Sequence, residues 1–200
     1  MKEIYDSKQP LSVMCESGRV FFYTDEEEVT VSEPTVSGAD DDGNPIYEDK
    51  DVTKYAYNVT RYDNPNGRTD GLSAAKDMAV GLIEEYDNSD GVNNINVVAN
   101  GMTIPYWRNR SDRVSLRNSI ESCKRLGATT FSLEVSTKCP ALVVDIDKLL
   151  NDMDVWEEYA QNCYCVTQNH LRNIENMTDV STVLSYDYKA GYPDSPTFTF

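Results

Sequence analysis

From Ile146 to Met177 the chain keeps a spacing that few structures can accommodate. Ile146, Leu149, Met153, Trp156, Ala160, Cys163, Thr167, His170, Ile174 and Met177 follow one another at intervals of three and four residues without a break. A strand shows the same face at every second residue, whereas a helix of 3.6 residues per turn shows it at every third and fourth. The spacing therefore predicts one long helix over about 145–177, with a continuous seam buried against another element. No glycine or proline interrupts it.

This helix carries the stretch that most invites a chemical reading, Cys163–His170, "CYCVTQNH". Two cysteines and the only histidine of the chain are the residue types of a metal site or a thiol–imidazole pair. Helix geometry argues against both. Cys163 and His170 share the seam but stand two turns apart, about 10 Å along the axis, and Cys165 is turned about 200° away from Cys163. Three side chains so placed do not converge while the helix is intact. Cys163 reads as a seam residue, and Thr167 and His170 as polar positions that fix its register. Nucleophile elbows, phosphate-binding loops, dinucleotide fingerprints and paired-histidine zinc motifs are missing from the sequence. The sequence thus assigns no catalytic, cofactor-binding or metal residue, and reads as a non-enzyme with no cofactor and no small-molecule substrate.

Charge narrows the partners. The 200 residues carry 34 acidic and 18 basic side chains, a formal charge of −16. Such a chain is repelled by phosphate backbones, so no nucleic acid is expected as a partner. No apolar run reaches the ~20 residues that cross a bilayer, so no membrane is expected either. The N-terminus lacks an apolar leader, which predicts that the chain stays in the cytoplasm where it is made. Five cysteines, scattered at 15, 123, 139, 163 and 165, read as reduced thiols.

Residues 1–66 read as a strand-rich region. "LSVMC" and "RVFFYT" flank the turn at Glu16, Ser17 and Gly18, "EVTVSE" alternates, and Tyr55, Tyr57 and Val59 share one face at period two. Between these, residues 33–51 are rich in Gly, Pro and Asp and read as a long exposed acidic hairpin loop. From Asp25 to Asp51, eleven acidic residues face one lysine, a net of −10. The acids lack the alternate spacing of a calcium loop. A turn cluster at Asp63 to Asp70 marks a boundary, and residues 67–200 read as a second, α+β domain. In it, Leu72, Ala75, Ala79, Leu82 and Tyr86 predict a helix over 72–87, and Asn100-Gly101 predicts a type I′ hairpin. A further helix should start near Ser111 and stop at Gly127, followed by a hairpin turning around Lys138 to Pro140. The C-terminal tail, with Pro193 and Pro196, reads as extended. The expected fold class is α+β.

One basic region stands out. Arg110, Arg113, Arg117 and Lys124 share a helical face, with Arg108 and Arg125 nearby. Either this face pairs internally with carboxylates, or it meets the acidic loop of another subunit or partner.

The block from about Asn96 to Phe200 resembles an uncharacterised domain family frequent in phage and prophage tail-fibre and tail-assembly proteins. The likeness rests on "PYWRNRSDRVSLRNSIESCKRLGATTFSLE" and on "NCYCVTQNHLRNIENMTDVSTVLSYDYKAGYP". The second stretch is similar to the version seen in phages of gut Bacteroidetes, with Cys-Tyr-x-Val-Thr, a downstream His, and Tyr-Asp-Tyr-x-x-Gly-Tyr-Pro. It covers roughly half the chain; the first 65 residues carry none. The resemblance implies a virion protein, assembled in the host bacterial cytoplasm, that acts at the tail or tail fibre through other virion proteins and as a homo-oligomer. The alternative it leaves open is an assembly chaperone missing from the finished particle. A third reading, a cysteine-dependent hydrolase, would need Cys163, Cys165 and His170 to act together. Candidate interface residues are Arg110, Arg113, Arg117 and Lys124 on the basic face and Tyr55, Tyr57, Tyr186, Tyr188, Phe198 and Phe200 as aromatic anchors. The terminal "TFTF" alternates as a strand able to complete a partner's sheet.

Overall fold

A computed structural model describes residues 2–14, 18–137 and 139–200. The protein is α+β, and its chain forms two compact units, Met1–Ala79 with Asn176–Tyr186, and Val80–Glu175 with Asp187–Phe200.

The first unit is built on a four-stranded antiparallel sheet of β1 (Lys2–Tyr5), β2 (Ser12–Met14), β3 (Val20–Ala39) and β4 (Pro45–Tyr62), in the order β1-β4-β3-β2. The β2–β3 hairpin forms as the alternation predicts; its turn at residues 15–17 lies outside the described residues. Val20, Phe22, Ala56 and Tyr57 are buried on this sheet, and Ala74, Ala75 and Ala79 are buried on the first half of α1 (Gly71–Asp87). Asp70 caps that helix, accepting the Ser73 N–H at 2.8 Å. The seam on α1 is turned from the expected one: Ala75, Ala79 and Ile83 are buried while Leu82 is exposed.

The acidic loop expected over 33–51 is not a loop. β3 and β4 stay paired from Val20↔Tyr62 out to Ala39↔Pro45, and only residues 40–44 turn. The alternating β-branched residues of Val29–Val36 favour the pleat, and Pro34 and Pro45 are tolerated because no third strand needs their missing N–H groups. The turn is closed by Asp40, whose carboxylate accepts the N–H groups of Asp42 and Asn44, with Gly43 at φ 83°. Those bonds hold the Asp40 carboxyl below its usual range.

The second unit joins two small sheets to two helices. β5 (Ile95–Ala99) and β6 (Met102–Tyr106) form the predicted hairpin, with Asn100 at φ 51° and Gly101 at φ 74° as a type I′ turn requires. α2 (Arg110–Arg125) starts at the N-cap Asn109, which accepts the Asp112 N–H, and stops at Gly127. There the Ala128 N–H reaches the Cys123 carbonyl at 3.0 Å, and Gly127 takes φ 88°. β7 (Thr130–Leu133) and β8 (Leu142–Asp145) pair antiparallel; Lys138, at their turn, lies outside the described residues. α3 (Ile146–Asn176) is the long predicted helix. α4 (Val180–Leu184), capped by Asp179, was not legible in the spacing, and it belongs to the first unit. The tail ends in β9 (Thr197–Thr199), which pairs parallel with β5 and so corrects the expectation that "TFTF" is free to join a partner's sheet.

The core of this unit includes Ile95, Val97, Ile120, Leu133, Val144, Leu149, Met153, Trp156, Tyr159 and Phe198. Every seam position of α3 from Ile146 to Ile174 is buried except Ala160, which is half-buried.

Candidate functional site

The lower half of the α3 seam is apolar, and the upper half carries two polar side chains, Thr167 and His170, each with a partner. Thr167 Oγ1 lies 2.6 Å from Asp87 Oδ1 and 2.9 Å from the Tyr192 hydroxyl. A carboxylate only accepts, so Thr167 donates to Asp87 and accepts from Tyr192. His170 stacks on the Tyr192 ring at 5.6 Å, and its Nε2 is 2.9 Å from the Ala190 carbonyl. A carbonyl cannot donate, so that nitrogen carries the proton.

Cys163 faces a different group. Burial pushes its thiol above the usual range, and burial pushes the neighbouring Tyr159 phenol up to about 12. A thiol kept protonated is a poor nucleophile and a poor metal ligand. Cys165 is exposed on another face. Among the described residues no group of three or more His, Cys, Asp or Glu side chains is arranged to hold a metal.

The basic face of α2 is largely neutralised within its own unit. Arg113 is buried, its side chain 5% exposed, and it forms two bonds with Glu157 on α3, Nε to Oε1 at 2.6 Å and Nη2 to Oε2 at 3.2 Å. Its Nη1 donates to the Arg108 carbonyl at 2.8 Å, and its guanidinium lies 5.2 Å from the Trp107 ring centre and 5.5 Å from that of Trp156. Arg117 pairs with Asp154 and Glu121, and Lys124 with Asp147. Arg110 lines an open polar cleft of about 350 Å³ with Trp107, Glu157, Gln161 and Tyr164. Arg113 is therefore corrected from surface contact to interior ion pair. The missed signal was Trp107 and Trp156, whose faces favour a guanidinium over any other cation.

The aromatic anchors divide in the same way. Tyr57 is 2% exposed, so it is a core residue and not an anchor; its ring meets Tyr5 and Tyr23 edge to face, and its hydroxyl donates to Glu26 at 2.9 Å. A bond from Lys8 and this one from Tyr57 hold the Glu26 carboxyl below its usual range. Tyr55 is half-buried beneath the Lys8 ammonium. Phe198 is buried in the core and Phe200 is packed against it, with Lys148 over its ring. Tyr188 packs edge to face on Tyr86, and Tyr186 is half-buried after α4. Phe198 and Phe200, expected to reach outward, pack inward because the tail folds back as β9.

Among the described residues, the outer part of the β3–β4 ribbon pairs with no further strand. β2 covers β3 only at Val20–Phe22, and β1 covers β4 only at Tyr55–Asn58. Beyond a bulge between Thr24 and Glu27, the ribbon continues as two strands, both outer edges unpaired, for about 40 Å. Near its tip Val36 (57%), Ile46 (45%) and Tyr47 (60%) are exposed. No protein-family model matches this chain, and neither curated proteins nor solved structures yield a match.

Proposed function

We propose that the protein is a structural component of a phage particle, tail or tail-fibre associated, that works by protein–protein assembly and not by catalysis. The observation that carries this reading is the ribbon arm. Two strands alone are marginally stable in water, because they bury little apolar surface. An arm of this length with open edges and apolar side chains at its tip is the form of an element completed by another protein. The pairing of Thr167, His170 and Cys163 with structural neighbours supports the non-catalytic part, since each is engaged in holding the tail or the core.

Mass spectrometry of purified particles tests it. A structural component is found at a fixed ratio to other tail proteins, and a chain joined from Thr30 to Thr53 through Asn-Gly, which lacks the outer arm, folds but is left out of particles. Absence of the wild-type chain from finished particles would favour the chaperone reading.

A further inference from the structure

We infer that the outer arm is a docking finger for a cleft on a different protein, apolar at its floor and basic at its rim. This rests on the assembly reading above and adds the partner's chemistry.

The tip is apolar by construction. Val36 pairs across the ribbon with Tyr47, so both side chains stand together on one face. On the other face Ile46 lies opposite Gly38, which offers no side chain to cover it and has only open space where a Cβ would be. A bulge between Val36 and Gly38 separates the two sites. Tyr, with a large rigid ring and little rotamer entropy to lose, is a favoured anchor at such contacts.

The charge around the tip is unbalanced. Nearer the base of the arm three acids have cations of their own, Glu26 with Lys8, Glu27 with Lys2 and Glu33 with Lys54, while Asp25 and Glu28 make no ion pair among the described residues. Around the tip, Asp41, Asp42, Glu48 and Asp49 make no ion pair among the described residues, nor does Asp51 opposite Ser32, and Lys50 is the one cation among them. An apolar centre inside a ring of unneutralised carboxylates fits an interface whose rim is basic.

A second copy does not offer that rim. The segment 25–51 carries −10 of the total −16, so the rest of the chain is also negative. Three of the four cations on its main basic face are in internal pairs, Arg113 with Glu157, Arg117 with Asp154 and Lys124 with Asp147. Like charges across an interface disfavour the wrong partner, so these arms repel one another.

The test uses the full chain and a fluorescein-labelled twelve-residue peptide of alternating Lys and Leu, read by anisotropy. Binding is expected at low salt and should weaken as salt rises. Tyr47→Ala should weaken it about tenfold. Converting Asp41, Asp42, Glu48, Asp49 and Asp51 to their amides should weaken it by more than about tenfold. Amide substitution at five carboxylates elsewhere, Glu84, Glu85, Asp112, Glu134 and Glu158, should leave it unchanged. Equal loss in that control set, no loss on Tyr47→Ala, or no binding at all would overturn the proposal. So would a dimer at low salt in light scattering that is lost on removing the outer arm, since the occupant would then be a second copy. No particle enters this experiment, so its failure leaves the particle-based result for the assembly reading standing.

Discussion

The ion pair between Arg113 and Glu157 makes an asymmetric prediction. The Arg113 side chain is 5% exposed and that of Glu157 40%. Removing the arginine leaves a carboxylate that water already reaches; removing the glutamate leaves a guanidinium that water reaches only through the space the carboxylate held. Arg113→Met keeps an apolar chain between Trp107 and Trp156. It forfeits the contact with two rings, about 0.5–1 kcal/mol each, and the bond to the Arg108 carbonyl, about 1 kcal/mol. The sum is about 2 kcal/mol. Glu157→Ala strands the buried cation, an event that costs about 3–5 kcal/mol when both partners are fully buried. Access through the exposed side lowers this to about 2–3 kcal/mol. The double variant has no stranded charge, so it should cost little more than Arg113→Met alone, a coupling of about 2 kcal/mol. Urea unfolding read by tryptophan fluorescence measures this directly, because the only two tryptophans flank the guanidinium. Each single substitution should lower the midpoint by about 1 M. Additive costs to within about 0.5 kcal/mol, or Glu157→Ala costing less than that, would refute the reasoning. The same burial predicts that charge reversal at Arg113 unfolds the unit rather than altering oligomer mass, so Arg117→Glu is the cleaner probe of association.

The thiols should separate by rate: Cys165, exposed, reacts quickly with Ellman's reagent, and Cys163 about 100-fold more slowly, since its reaction waits on local opening. Similar rates would mean that α3 does not shield Cys163. Stability should also fall with alkaline pH. The folded-state values of Cys163, Tyr159 and Tyr192 are raised by burial, so their contribution is complete below the unfolded thiol value of about 8.5. It is lost stepwise above that as the unfolded chain ionises first, toward about 12 for Tyr159. Chemical unfolding at pH 7, 9 and 10.5 checks this, and equal stability at all three would contradict it.

How far the fold could be read from the chain depended on the range of the forces involved. The α3 seam, the Asn100-Gly101 turn and the stop at Gly127 are fixed within a few residues by helix period and backbone sterics, so their signals are local. β9 pairs with a strand about a hundred residues earlier, Asn96↔Thr197, and nothing in "TFTF" specifies which edge it joins. Composition misled at 33–51, where Gly, Pro and Asp suggested a loop. They instead mark a bulge, an edge and a turn within a ribbon whose outer edges pair with no further strand among the described residues. The basic face of α2 shows the limit most plainly. Spacing placed Arg113 and Arg117 on one side of a helix, but only the approach of α3 decides that Arg113 is buried and Arg117 half-exposed.

The upper α3 seam resolves a question that spacing alone left open, namely why a buried stripe should turn polar at Thr167 and His170. Both side chains meet the same residue of the tail, Tyr192, one through its hydroxyl and the other through its ring face. An apolar seam would hold the tail by area only, and a strand or turn could then slide along it. Here the Thr167–Tyr192 and Nε2–Ala190 bonds select one register, because a shift of the tail by one residue breaks both. That register carries Phe198 into the core and sets β9 against β5. Thr167 and His170 on α3 and Ala190 and Tyr192 of the tail are thus the two sides of one contact.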